Sequence, residues 1–155
     1  MSKLKVMFVC LGNICRSPLA HAVFEDMAAR EGLDVFTESC GMGAWHVGEP
    51  ADARMRRTAK DRGVTINHYA RRFEPSDLDE YDLIIPMDRS NMKDLKRYAR
   101  PEHMDKIHLM REWDPEGGTE VPDPWYGGPE GFETVYDIVE RSCRALVDDL
   151  KKGKV

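Results

Sequence analysis

Leu4–Pro18 reads LKVMFVCLGNICRSP. Leu4 to Val9 is apolar without clean alternation, the pattern of a parallel strand buried on both faces. Ser17-Pro18 reads as a helix start, with Ser17 as the cap and Pro18 at the first helical position. Between them runs a tight loop that carries Cys10, Gly12, Cys15 and Arg16. A strand, a short loop and a helix in succession are the opening unit of an α/β sheet, whose ligands sit outside the carboxyl ends of the strands.

The rest of the chain continues the alternation. Leu19, Val23 and Met27 line one face of the first helix, which Gly32 ends. Leu33 to Ser39 reads as a second strand, Cys40 to Pro50 as a Gly-rich loop with Trp45 and His46, and Ala51 to Arg62 as a helix closed by Gly63. Asp82–Pro86 (DLIIP) is a third strand, after which Asp88 caps a helix to about Tyr98. Lys106–Met110 (KIHLM) is a weaker fourth strand. Trp113 to Gly131 is a long Pro/Gly-rich segment, and a segment of that length is more often functional than idle. Phe132 to about Leu150 is the last helix. The predicted fold is α/β: a four-stranded parallel sheet with helices on both faces and a phosphate-binding loop after the first strand.

Bulk properties narrow the class. A chain of 155 residues predicts a single domain over residues 1–155, large enough to bury a core without covalent staples. The net charge of −5 argues against a nucleic-acid partner held by bulk charge, but leaves room for a locally positive site. Val6 to Val9 is too short for the apolar stretch of an export leader, and nothing approaches a membrane span. Cys10, Cys15, Cys40 and Cys143 fit no zinc spacing. These features predict a cytoplasmic protein with reduced thiols, no membrane partner and no metal.

Backbone N–H groups of a loop between strand and helix can converge on one anion, and the helix N-terminus adds about half a positive charge. Gly12 permits the positive φ that such a loop often needs. Arg16 supplies a planar fork for two phosphate oxygens. The field that holds a tetrahedral dianion also holds a thiolate, so Cys10 is a candidate nucleophile beneath a bound phosphorus. The expected path is attack on phosphate, a cysteinyl-phosphate intermediate and hydrolysis. A bare Cys-x5-Arg is weak by itself, and Cys10 as a small packed residue with Arg16 as a surface charge is the plain alternative. The register of strand, loop and Ser-Pro start strengthens the catalytic reading.

A departing alkoxide or phenoxide needs a proton from a carboxyl in apolar surroundings. Two Asp-Pro pairs offer one. Asp114, in WDPEGG, resembles a turn. Asp123, in PDPWYGG, is stiffened by Pro122 and Pro124 and followed by Trp125 and Tyr126, an aromatic wall suited to a protonated acid and to an aromatic substrate. Asp123 is the favoured acid.

VCLGNICRSP together with DPWYG resembles the low-molecular-weight protein tyrosine phosphatase family. WHVG (Trp45–Gly48), HYARR (His68–Arg72), DLIIPMDRSN (Asp82–Asn91) and FETVYDIVERSCRAL (Phe132–Leu146) follow in family order. The resemblance implies a metal-independent, cofactor-free phosphatase with Cys10 as nucleophile, Arg16 as clamp and Asp123 as acid, then base. It implies that Ser17 steadies the leaving thiolate, and that Asn13, Ser17, Ser39 and His68 form a polar network shaping the loop. Cys15 matches a second cysteine that forms a reversible disulfide with Cys10 on oxidation. Gly12 belongs to the phosphate cradle, while Leu11, Ile14, Trp45, His46, Trp125 and Tyr126 match the pocket lip. A deep slot suits phosphotyrosine-containing proteins and small aryl phosphates, with phosphoserine too short. Family members acting on phosphoarginine have Thr where Ile14 stands, so Ile14 favours tyrosine. Trp125 departs from the Tyr of the animal members, and Cys40 has no matching thiol.

Inorganic phosphate and vanadate are expected inhibitors, and the chain is expected to be a monomer or to self-associate weakly. Two other readings compete. A thiol-dependent arsenate reductase shares the loop, but needs resolving cysteines near the third strand, and Asp82–Leu95 has none. A catalytically idle phosphate-binding module needs no acid, so retention of Asp123 argues against it.

Overall fold

The computed structural model describes residues 3–155. Strand β1 (Leu4–Cys10) is central, with β2 (Val35–Gly41) on one side and β3 (Leu83–Pro86) on the other, all parallel. Leu4 stands opposite Val35 and Cys10 opposite Gly41, while Val6 stands opposite Leu83.

The unbroken apolar run of β1 has a simple cause. Successive side chains point to opposite faces, and both faces are covered. Val6, Phe8 and Cys10 join a core with helices α1 (Arg16–Arg30), α2 (Ala53–Asp61) and α5 (Pro129–Lys151). Met7 and Val9 join a second core with Leu78 of the short helix α3 (Asp77–Glu80) and Leu95 of α4 (Arg89–Lys96). Helix α5 carries Val135, Val139, Cys143 and Leu146 on its buried side, as its sequence period requires.

Among the described residues the sheet has three strands, not the expected four. Lys106–Met110 contributes one parallel bridge, Ile107 to Ile84, with His108 N–H donating to the Ile84 carbonyl at 3.0 Å. Lys106 still belongs to a 3-10 turn begun at Pro101, and Met110 opens the next, so Ile107 alone forms a bridge to β3. Strand β2 starts two residues later than predicted and runs on to Gly41, so Cys40 is a buried strand residue rather than a loop residue. Helix α1 starts two residues early, at Arg16, and Ser17 makes no cap. Pro18 then sits in the first turn, where its missing N–H costs nothing. Asp52 caps α2 by accepting from the Arg54 and Met55 amides, and Asp88 caps α4 by accepting from Asn91 N–H at 2.8 Å.

Candidate active site

Cys10 ends β1 and is 3% exposed. Beyond it the chain turns through Leu11–Cys15 into α1. The turn is made by Asn13, whose φ is 58°, and not by Gly12 as expected. Asparagine is one of the few non-glycine residues that enters this left-handed region readily. Gly12 is needed for space: a Cβ there would lie 3.0 Å from the His46 ring. Gly41 is tighter still, since a Cβ would lie 2.8 Å from the Leu11 carbonyl oxygen.

The Cys10 thiol sits among hydrogen-bond donors. Asn13 N–H donates to Sγ at 3.2 Å, and Ser17 Oγ lies 2.9 Å away. Asn13 Nδ2 donates to Ser17 Oγ at 2.8 Å, and the Ser17 hydroxyl has the Cys10 sulfur at 2.9 Å and the Cys40 carbonyl at 3.4 Å within reach. Asn13 Oδ1 accepts from His68 Nε2 at 2.8 Å and from Arg71 N–H at 2.9 Å. Ser39 Oγ lies 3.2 Å from His68 Nε2 and 3.2 Å from His21 Nδ1. Asn13, Ser17 and Ser39 are fully buried. The network implied by the family resemblance is therefore assembled behind the loop, and Asn13 and Ser17 support the pocket from beneath instead of lining it. Burial lowers His68, holding it in the neutral form that can donate from one nitrogen only.

Arg16 is buried from the first turn of α1. Its Nη1 donates to Asp88 Oδ2 at 2.7 Å and to the Val121 carbonyl at 3.0 Å, and its Nη2 lies 3.7 Å from Asp123 Oδ2. Burial opposes its charge, but Cys10, Asp88 and Asp123 outweigh that and keep it a cation. Asp88 thus does two things: one oxygen caps α4 and the other aims Arg16. Sequence reasoning found only the cap. Asp88 follows a strand adjacent and parallel to β1, which places it on the same sheet edge as Cys10; that was the available signal.

Asp123 and Cys10 face one cavity of about 280 Å³. Leu11, Gly12, Ile14 and Cys15 line its loop side; Trp45, His46 and Trp125 form its lip. Trp45 is 72% exposed, and Trp125 lies 5.6 Å from the His46 ring with the Arg54 guanidinium 5.2 Å from its own. The Tyr126 side chain lies outside the described residues. Asp123 also accepts from Trp125 N–H at 3.0 Å, which fixes the turn that carries both. Asp114 is elsewhere. It is buried in an ion-pair cluster, accepting from Arg111 at 3.1 Å and from Arg141 at 3.1 Å. Burial resists its charge, yet the Arg141 bonds prevail and hold its carboxyl below the usual range.

The second thiol of the loop is a different chemical object. Cys15 is buried, and burial, reinforced by the charges of Asp52 and Cys10, pushes its thiol far above the ordinary range. Cys10 and Cys15 are both free thiols, and so is Cys40, whose thiol burial also pushes up.

Comparison with known proteins places this arrangement. The family described as "Low molecular weight phosphotyrosine protein phosphatase" matches residues 5–155. A low molecular weight protein-tyrosine-phosphatase of Streptomyces coelicolor is 41% identical over 149 residues, 92% of this chain and 91% of its own. The crystal structure of a protein tyrosine phosphatase from Entamoeba histolytica, with Hepes in its active site, superposes with a TM-score of 0.95 at 38% identity, covering 99% of this chain and 100% of that one. The YwlE arginine phosphatase of Bacillus subtilis, solved as a variant with a phosphorylated active-site serine, superposes at 0.87 with 27% identity over 96% of this chain and 97% of its own. With a matching profile from residue 5 to residue 155 and the fold shared end to end, the chain belongs to the low molecular weight phosphotyrosine protein phosphatase family.

Proposed function

We propose that this chain hydrolyses phosphotyrosine, in proteins and in small aryl phosphates, through a cysteinyl-phosphate at Cys10. The observation that carries the proposal is the shared cavity: a thiol at its floor, a carboxyl on its wall and two tryptophans at its lip. The tryptophans at the lip suit a phosphate carried on an aromatic ring.

In the first step Cys10 Sγ attacks phosphorus in line, and the P–O bond to the tyrosyl oxygen breaks. Asp123 gives its proton to that oxygen as it leaves. Arg16 and the loop amides hold the three remaining oxygens as their charge redistributes. In the second step Asp123 takes a proton from water, the water oxygen bonds to phosphorus, and the P–S bond breaks. The Ser17 hydroxyl, 2.9 Å from Sγ, donates to the thiolate that departs. The balance is aryl phosphate plus water to phenol plus inorganic phosphate, with no electron transferred: Cys10 is the first nucleophile and water the second, and the proton that Asp123 gives to the phenol is restored from that water. Leu11, Ile14, Trp45, His46, Trp125 and Tyr126 are assigned to the substrate ring, Gly12 and Cys15 to the phosphate cradle, and Asn13, Ser39 and His68 to support of the loop. Cys15 is also the assigned disulfide partner of Cys10 under oxidation. We read residues 1–155 as one catalytic domain that works without metal as a cytoplasmic monomer, or with weak self-association, where inorganic phosphate and vanadate compete with substrate.

The test is a panel of phosphotyrosine, phosphoserine and phosphoarginine peptides, with the unaltered chain and with Cys10→Ser. Phosphate release from phosphotyrosine alone is expected, falling by at least about 10³-fold in the variant, while oxyanion binding persists. Preference for phosphoarginine would reassign the substrate; undiminished turnover in Cys10→Ser would remove the mechanism.

A further inference from the structure

Behind the phosphate loop, outside the lining of the cavity, lies a second cluster whose only tie to the reaction is the support that His68 gives the loop. His21 on α1, Glu38 on β2 and His68 in the segment between α2 and α3 each offer one ligand atom, and these atoms lie within 4.8 Å of one another. The three residues come from separate parts of the chain, and all are half-buried.

One pair is spaced close to what two ligands of a single ion require. His68 Nδ1 is 3.8 Å from Glu38 Oε1, too long for a hydrogen bond. Two ligands on one tetrahedral zinc, each at ~2.0–2.1 Å, stand about 3.3 Å apart. This pair needs a shift of only about half an ångström to reach that spacing. The other nitrogen of His68 is already committed, donating to Asn13 Oδ1 at 2.8 Å. Metal-binding histidines characteristically donate their free ring N–H to an oxygen in this way, which leaves the opposite nitrogen unprotonated toward the ion. Glu38 Oε1 is fixed by Ser39 N–H at 2.9 Å. His21 Nε2 lies 3.6 Å from Glu25 Oε2, one helical turn on, which puts a further carboxylate at the exposed edge of the cluster. Burial lowers both His21 and His68, favouring the neutral imidazole that ligation requires. Arg71 is the opposing charge, with Nε 3.7 Å from Glu38 Oε2, but its Nη1 and Nη2 are held by Asp77 at 3.1 and 3.2 Å.

We propose that His21, Glu38 and His68 form a binding site for one zinc ion, separate from the catalytic thiol and joined to the phosphate loop through the His68–Asn13 hydrogen bond. Two imidazoles and a carboxylate are a donor set that suits zinc over magnesium or calcium. The ion draws electron density from His68 and strengthens its Nε2–H as a donor to Asn13, the residue that shapes the turn over Cys10.

The test uses the Cys10→Ser chain, so that zinc on the catalytic thiolate does not confuse the reading. Calorimetric titration with zinc is expected to show one site, weakened at least tenfold by His21→Gln and by Glu38→Gln, each added to Cys10→Ser. Cobalt(II) titrated into the same Cys10→Ser chain gives a check that needs no ligand substitution. Visible bands of a tetrahedral nitrogen and oxygen site are expected, without the near-ultraviolet band of sulfur ligation. Absence of zinc uptake, affinity unchanged by both substitutions, or a sulfur band would each overturn the site.

Discussion

Asp114 and Asp123 are both followed by proline, yet their surroundings are opposite. Asp123 faces the cavity and Arg16 across 3.7 Å, whereas Asp114 is locked between Arg111 and Arg141. Asp123→Ala is expected to lower kcat by about 10²–10⁴-fold, most for aryl phosphates with poor leaving groups. Asp114→Ala is expected to leave turnover per folded molecule intact and to lower the unfolding temperature. The stability loss should stay below the roughly 3–5 kcal/mol of a fully buried pair, because both arginines reach solvent. The same residue sets an acid limit. Its carboxyl is held below its unfolded value near 3.8. The stability it contributes is therefore fully present above that value and is lost as pH falls through the lower folded one. Denaturant titrations from pH 6 down to pH 2.5 should show a shallower acid slope in Asp114→Asn than in the unaltered chain. That Asp123 and not Asp114 faces the cavity was within reach of sequence, because aromatic neighbours follow only Asp123. The second job of Asp88 and the convergence of His21 with His68 were not, since both depend on side chains meeting across a sheet.

At the scale of elements, legibility followed burial. The apolar run of β1, the cap at Asp88 and the stops at Gly32 and Gly63 (φ of 70° and 85°) have local causes and were readable, whereas the cap at Asp52 was missed because the helix was started at Ala51. The fourth strand failed for a non-local reason. An apolar pattern states which residues wish to be buried, but not whether a neighbouring edge is free to pair. Here Met110 is buried as a core residue from a 3-10 turn, and β3 is only four residues long and ends in Pro86. Gly41 was passed over because its role is an approach of two backbones: β2 ends where the catalytic loop crosses it. Gly41→Ala is expected to destabilise the fold by about 1–3 kcal/mol, the usual cost of overpacking. Vanadate inhibition of that variant should weaken in parallel, as the Leu11–Asn13 segment must move to admit the methyl group. Loss of stability with vanadate affinity intact would show that the loop does not depend on this contact.

The whole molecule is acidic, with a net charge of −5, while its cavity presents Arg16. A dianionic substrate is repelled at long range and attracted only on close approach. Added salt screens charges beyond about 8 Å at physiological ionic strength. Values of kcat/KM for a doubly charged aryl phosphate should accordingly rise by a small factor on going from low to moderate concentration of a weakly coordinating salt. A steep fall instead would show that long-range attraction steers the substrate. Among the described residues no helix is long and apolar enough to cross a membrane.

The central position of β1 has a consequence for motion. A strand paired on both edges and covered on both faces exchanges its amide hydrogens only when the entire fold opens. The thiol of Cys10 is attached to that strand, while Trp45, 72% exposed, stands on the connection between β2 and α2. The floor of the cavity is thus tied to the slowest-opening part of the molecule, and its outer lip to an exposed connection. Substitution of Trp45 is expected to reshape that lip while leaving the strand that carries Cys10 in place.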